Sequence, residues 1–199
     1  MVERKIRGIR IVVPDDVYNP AEDTLLLLDA LEELRLRGRK CLDVGTGSGI
    51  IAIRLARECA YTVAVDLLEG PALTAKENSK INGVHLEVIL GDVLTAFREG
   101  SFDVITFNPP YLPEMPNPLS GITYSWAGGF MGREVLGKFL SDLPRVLSRG
   151  GIGLFVFSDL NDPSWVMKEC NKKMVCEVVK DRKLAFHEIY VARAQNLPR

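Results

Sequence analysis

The sequence predicts an α/β domain built on a mostly parallel sheet that closes with an antiparallel hairpin. Three observations carry this. Apolar runs of strand length alternate with helical periodicity. A glycine-rich turn, Asp43-Val44-Gly45-Thr46-Gly47-Ser48-Gly49, follows one such run and opens a helix. The last two runs follow one another with only a short charged link between them. The 199 residues, 47% hydrophobic and 26% charged, suffice for one core and have the composition of a globular chain. A single domain over 1–199, with a short N-terminal extension, is therefore expected.

The first strand is predicted at 10–13. A helix follows at 21–35, with Asn19 as N-cap, Pro20 in the first turn and Glu22 three residues after the cap. Its Leu25, Leu28 and Leu31 share the core face. Strand 40–44 leads into the glycine turn and a helix over 50–58. Strands at 62–66, 86–90, 103–107 and 151–157 include continuous apolar runs of the kind buried on both faces, and helices fill the intervals. In the tail, runs at 174–179 and 184–192 flank Lys180-Asp181-Arg182-Lys183, which reads as a hairpin link.

Several classes are excluded or unsupported. No apolar run approaches the ~18 residues that span a bilayer, and Arg10 with the Pro14-Asp15-Asp16 turn interrupts any signal-peptide core, so a cytoplasmic protein is expected. Lys plus Arg number 25 against 26 Asp plus Glu, which gives no polybasic field for nucleic acid. Cys41, Cys59, Cys170 and Cys176 form no C-x-x-C pair and read as small buried thiols; no metal site is expected. His85 and His187 have no nearby nucleophile to serve and read as structural.

The glycine turn between strand and helix is the setting that a nucleotide-like cofactor needs. Asp66 ends the next strand, where a carboxylate can accept both hydrogens of a ribose diol, and Asp92 follows the strand after that, suited to an adenine edge. A dinucleotide is the competitor, but its G-x-G-x-x-G pattern requires glycine at position 50, which is Ile50. It would also set pyrophosphate beside Asp43, where two like charges about 5 Å apart repel by roughly 3 kcal/mol at an effective dielectric near 20. An acid there suits an ammonium group. S-adenosylmethionine combines an amine for Asp43, a diol for Asp66 and an adenine amine for Asp92.

After the strand at 103–107 comes Asn108-Pro109-Pro110-Tyr111, a stiff loop at the strand end where open α/β sheets bind substrate. A planar NH2 group, on an amide or an adenine, is a poor nucleophile because its lone pair is delocalised. The Asn108 side-chain carbonyl and the Pro109 backbone carbonyl can each accept one of its hydrogens, localising charge on nitrogen and aiming its lone pair. Tyr111 can stack on the flat group. Asn108, Pro109 and Tyr111 are thus the candidate catalytic residues, with Pro110 completing the substrate wall.

Four segments together, Val17-Tyr18-Asn19-Pro20-Ala21-Glu22-Asp23-Thr24, the glycine turn, Asn108-Pro109-Pro110-Tyr111 and Trp126-Ala127-Gly128-Gly129 continuing to Gly132-Arg133-Glu134-Val135, resemble the HemK-like release factor glutamine methyltransferases. The first and last resemble the eukaryotic and archaeal branch. The resemblance implies a class I methyltransferase fold, a Rossmann-like three-layer sandwich with a seven-stranded sheet. It implies N5-methylation of the glutamine in the Gly-Gly-Gln motif of a peptide chain release factor. It assigns cofactor contacts to Thr24, Asp43, Gly45, Gly47, Asp66, Asp92, Val93 and Asn108. It also implies a small zinc-binding activator protein as partner. Bacterial members carry a helical domain ahead of the Pro20 motif, whereas fewer than twenty residues precede it here, so substrate docking is expected to come from elsewhere.

Alternative acceptors are a flipped nucleobase amine, which uses a similar loop, and a protein lysine, for which no general base is evident. A non-catalytic binding module would need a broken loop, and 108–111 is intact. In the implied topology 86–90 is the parallel edge strand, with unpaired backbone groups that a partner strand could use and Val88 or its neighbours in apolar contact.

Overall fold

The computed structural model describes residues 1–117, 122 and 126–196. The elements run β1 (Val2–Ile6), β2 (Ile9–Val13), α1 (Glu22–Leu31), β3 (Lys40–Val44), α2 (Ile50–Ala56), β4 (Tyr61–Asp66), α3 (Glu69–Ile81), β5 (Glu87–Leu90) and β6 (Phe102–Phe107). They continue with α4 (Glu134–Val146), β7 (Leu147–Ser158), a short 3-10 turn (Asp159–Asn161), α5 (Pro163–Cys170), β8 (Val175–Lys183) and β9 (Glu188–Gln195).

Seven strands form one sheet in the order β5-β4-β3-β6-β7-β9-β8. The first five in that order are parallel, and β9 joins β7 antiparallel and pairs with β8. This is the class I methyltransferase architecture. Period-two alternation loads both faces: Leu154 and Val156 pack with α1 and α2, whereas Phe155 and Phe157 pack with α4 and α5. Strand order reverses between β3 and β6, whose register pairs Val44 with Phe107. A cleft for ligand opens at the carboxyl ends of strands at such a switch point, and here it brings the glycine turn beside the Asn-Pro-Pro-Tyr loop.

Strand 10–13 lies outside the seven-stranded sheet; as β2 it pairs with β1, which the pattern did not reveal, in a separate hairpin. That hairpin is fastened to α3 by two asparagines one turn apart. Asn78 donates to and accepts from Val12, and Asn82 does the same for Arg10, so the two amides stand in for a third strand. Helix α1 starts at Glu22 and ends at Leu31; its N-cap is Ala21 rather than Asn19, with no side-chain cap. It buries Leu26 and Leu27 as well as Leu28 and Leu31, while Leu25 is only half-buried, because α1 packs against β7, β8 and β9 of the sheet and against α2. Residues 180–183 are not a link but the last part of β8. The four cysteines are not free thiols: Cys41 is bonded to Cys59 and Cys170 to Cys176.

Candidate functional site

A cavity of about 530 Å³ opens at the switch point, and every residue proposed as a site residue lies on its wall. The floor is the glycine turn. The third glycine is Gly49, not residue 50, and its reason is packing: a Cβ there would stand 2.8 Å from both Cα and Cβ of Ala75 on α3. Its φ of 80° also lies in the left-handed region. The close approach lets α2 start at Ile50 directly behind the turn.

Asp43 is the last residue but one of β3, with only 2% of its surface exposed. Its two carboxylate oxygens accept from the Thr46 and Thr106 hydroxyls, each at 2.8 Å. Burial pushes its carboxyl up to about 7, against the pull of those two hydroxyls. Asp66 accepts the Gly47 N–H on one oxygen and the Leu68 N–H on the other, both at 3.0 Å. This fixes the plane of the carboxylate and leaves lone-pair capacity on each oxygen for a diol. Burial raises its carboxyl too. Asp92 is the most open of the three acids and pairs with Lys138 at 3.4 Å. Val93 next to it has φ of 50°, a left-handed conformation that a β-branched residue rarely adopts.

The opposite wall is the loop after β6. Asn108 donates from Nδ2 to the Thr24 hydroxyl at 3.4 Å. Its Oδ1 is buried and has no hydrogen-bond partner. Pro109 and Pro110 follow with no donors of their own. The Tyr111 hydroxyl donates to Asp23 at 3.3 Å, and its carbonyl accepts from Asn161 Nδ2 at 2.7 Å. Asn161 is wholly buried and also donates to the Gly132 carbonyl. Behind the loop, the Trp126 carbonyl and the Gly128 N–H pair with Leu112. At Gly132 a Cβ would meet the Tyr111 carbonyl oxygen at 2.5 Å, so the glycines of the Trp-Ala-Gly-Gly segment give the loop its backing.

Several wall and support residues were not singled out from sequence. Tyr18 donates to Asp23 at 2.9 Å, and burial together with the Asp23 carboxylate raises the hydroxyl pKa of Tyr18 and Tyr111. Asp23 and Tyr18 lie in the opening motif, and an acid on the buried side of a leucine-rich helix was the available signal. Asn161 had none. The ring of His187 lies 6.1 Å from that of Tyr111, and its Nε2 is buried without a hydrogen-bond partner. His85 is exposed and pairs with Glu87.

Comparison with known proteins gives a consistent set. The methyltransferase small domain family matches residues 19–117. A Methanocaldococcus jannaschii protein provisionally named protein N5-glutamine methyltransferase is 34% identical, covering 97% of this chain and 98% of its own length. The Mus musculus methyltransferase HEMK2 is 37% identical over 77% of each chain. A chain of the E. cuniculi Mtq2-Trm112 complex, described as responsible for methylation of the eRF1 translation termination factor, superposes with a TM-score of 0.73. It is 28% identical and covers 91% of this chain and 99% of that one.

Proposed function

Because the chain belongs to the protein N5-glutamine methyltransferase family, we propose that it methylates the side-chain amide nitrogen of the Gly-Gly-Gln glutamine in a peptide chain release factor, using S-adenosylmethionine. The observation that carries the chemistry is Asn108, which lines the cavity and whose Oδ1 no group of the described protein satisfies. An orphaned buried acceptor costs about 1–3 kcal/mol, and a substrate N–H would satisfy it.

The residues present fit the cofactor. Asp66 offers two fixed oxygens to a ribose diol, Asp43 a carboxylate to an ammonium group, and Asp92 an open acid to an adenine edge. Thr24, Gly45, Gly47 and Val93 complete that wall. When bound, the cofactor supplies an electrophilic methyl group on a sulfonium. The chain's own residues do the rest. Asn108 Oδ1 and the Pro109 carbonyl hold the two amide hydrogens, which concentrates electron density on nitrogen and directs its lone pair. Pro110 keeps the loop stiff, and the Tyr111 ring covers the flat face of the amide.

We further read residues 1–199 as one methyltransferase domain, with the β1–β2 hairpin as its extension. The release factor is the substrate, and a small zinc-binding activator is the partner, seated along β5. No described helix is long and apolar enough to cross a membrane, and the proposed workplace is the cytoplasm. Two disulfides in a cytoplasmic protein match the pattern of hyperthermophile intracellular proteins.

The test is labelled methyl transfer to a release factor, to its Gln→Ala variant, and to DNA and histones. Label on the parental factor alone supports the reading; label on DNA or histone, or equal label on the variant, overturns it.

A further inference from the structure

Four donors converge on the carboxylate of Asp23, which is only 4% exposed at the start of α1. Its Oδ2 accepts the hydroxyls of Tyr18 and Tyr111; its Oδ1 accepts the backbone N–H and the hydroxyl of Thr24. A hydroxyl has one hydrogen. Thr24 gives that hydrogen to Asp23 at 3.1 Å, so only lone pairs are left toward Asn108. The end of the Asn108 amide that can meet a lone pair is its NH2, and Nδ2 lies 3.4 Å from the Thr24 oxygen. The carbonyl oxygen is thereby turned to the other side, where it lies buried and unpartnered.

We propose that Asp23 is a positioning residue that sets the flip of the Asn108 amide through the Thr24 hydroxyl, so that an acceptor rather than a donor faces the substrate. The inference rests on the reading that Asn108 Oδ1 holds the substrate amide, and it deepens it. With the amide reversed, NH2 would face NH2, and two donors cannot bond. The flip also decides which side chain the site accepts. An acceptor at this point bonds an amide and rejects a carboxylate of the same shape, which would leave oxygen facing oxygen. Through Tyr111 the same carboxylate anchors the loop that carries Asn108, so loop position and amide polarity share one fixed point.

The direct variant is Asp23→Asn. Its amide oxygen, kept on the Thr24 N–H, would hold the Thr24 hydroxyl less strongly than a carboxylate does, and its NH2 would face the two tyrosine hydroxyls, so the Thr24 hydroxyl would be freer to turn toward Asn108 and the reversed amide would lose its penalty. Turnover on release factor at saturating S-adenosylmethionine should fall on the order of 100-fold, as with loss of a preorganised contact to a reacting group, while the cofactor dissociation constant moves less than about threefold. Binding should lose its preference for the parental factor over its Gln→Glu variant, a ratio expected to drop from about tenfold or more to near one. Turnover within about threefold of the parent, or an unchanged Gln-to-Glu preference, overturns the proposal.

Should Asp23→Asn not fold, Thr24→Val against Thr24→Ser decides. Serine restoring turnover at least about tenfold over valine supports the relay, and equal turnover overturns it. Asn108→Ala separates the two levels. If it turns over at the parental rate, the reading of the site fails with the relay. If it is slow while Asp23→Asn is not, only the relay fails.

Discussion

Asp43 carries a pH dependence whose sign can be worked out. Its carboxyl is raised to about 7 in the fold, by burial above all. From roughly pH 4 to 7 the folded chain therefore keeps a proton that the unfolded chain has released. The stability this gives is present in acid and lost as pH rises through 7. A cation bound beside Asp43 favours the carboxylate, so binding expels the proton in that window. Affinity for S-adenosylmethionine should rise with pH from about 5 to 7, by up to about tenfold per unit, and level off above. Calorimetric titration across that range checks it, and the dependence should vanish in Asp43→Asn. Asp66→Ala should weaken cofactor binding by about 1.5 to 3 kcal/mol, two hydrogen bonds to one charged acceptor being lost; unchanged affinity in the same titration would remove Asp66 from the site. Both acids could be read from sequence because a carboxylate at a strand end beside a glycine turn has few purposes. Asp23 carried only the weaker signal of an acid on a leucine-rich helix, since Tyr111, 88 residues away, converges on it only in the fold.

Among the elements, β5 is the parallel edge of the sheet, as its place in chain order implied. Val88 is half-buried against Leu86 and Ala64, whereas Ile89 and Leu90 are 37% and 55% exposed. The partner contact is therefore expected at Ile89 and Leu90. Either residue changed to Lys should abolish co-purification with the activator, while circular dichroism and the melting temperature stay close to parental. Retained co-purification would move the interface off β5. The other edge shows why charge misled the sequence reading. Lys180 and Arg182 end β8, and charged residues on an edge strand look like a loop in sequence while they protect the edge in the fold. Here they also hold β8 to α1 and the turn after it: Lys180 pairs with Glu33, and Arg182 with Glu22 and with Asp29 at 3.1 Å. Strand β1 was illegible for a related reason. Nearly all of it is exposed, so no burial alternation marks its sequence.

For the whole molecule, the two disulfides change the expected melting behaviour. Cys41 and Cys59 are 18 residues apart and Cys170 and Cys176 are 6 apart. Chain-entropy estimates give about 3 and about 2 kcal/mol for closing loops of these lengths. Loss of the first bond alone should lower the melting temperature by about 6 to 12 °C, read from scans of Cys59→Ser against parent, and reductant should lower the parent further still. A melting temperature indifferent to reductant would mean that the thiols are unpaired in solution. Spacing could not reveal these pairs; Cys41 meets Cys59 only because α2 folds back along β3. The ladder between β3 and β6 has a consequence of its own. Val44 and Phe107 stand in register immediately before the two loops that face the cavity, so those loops leave the sheet one strand spacing apart, about 4.8 Å. That separation is written in backbone hydrogen bonds, which surface substitutions do not touch. Transfer geometry and acceptor choice are thus inherited separately: descendants of such a chain can exchange exposed side chains such as Met115 and Phe130 for new targets while the reach from donor to acceptor passes down unaltered.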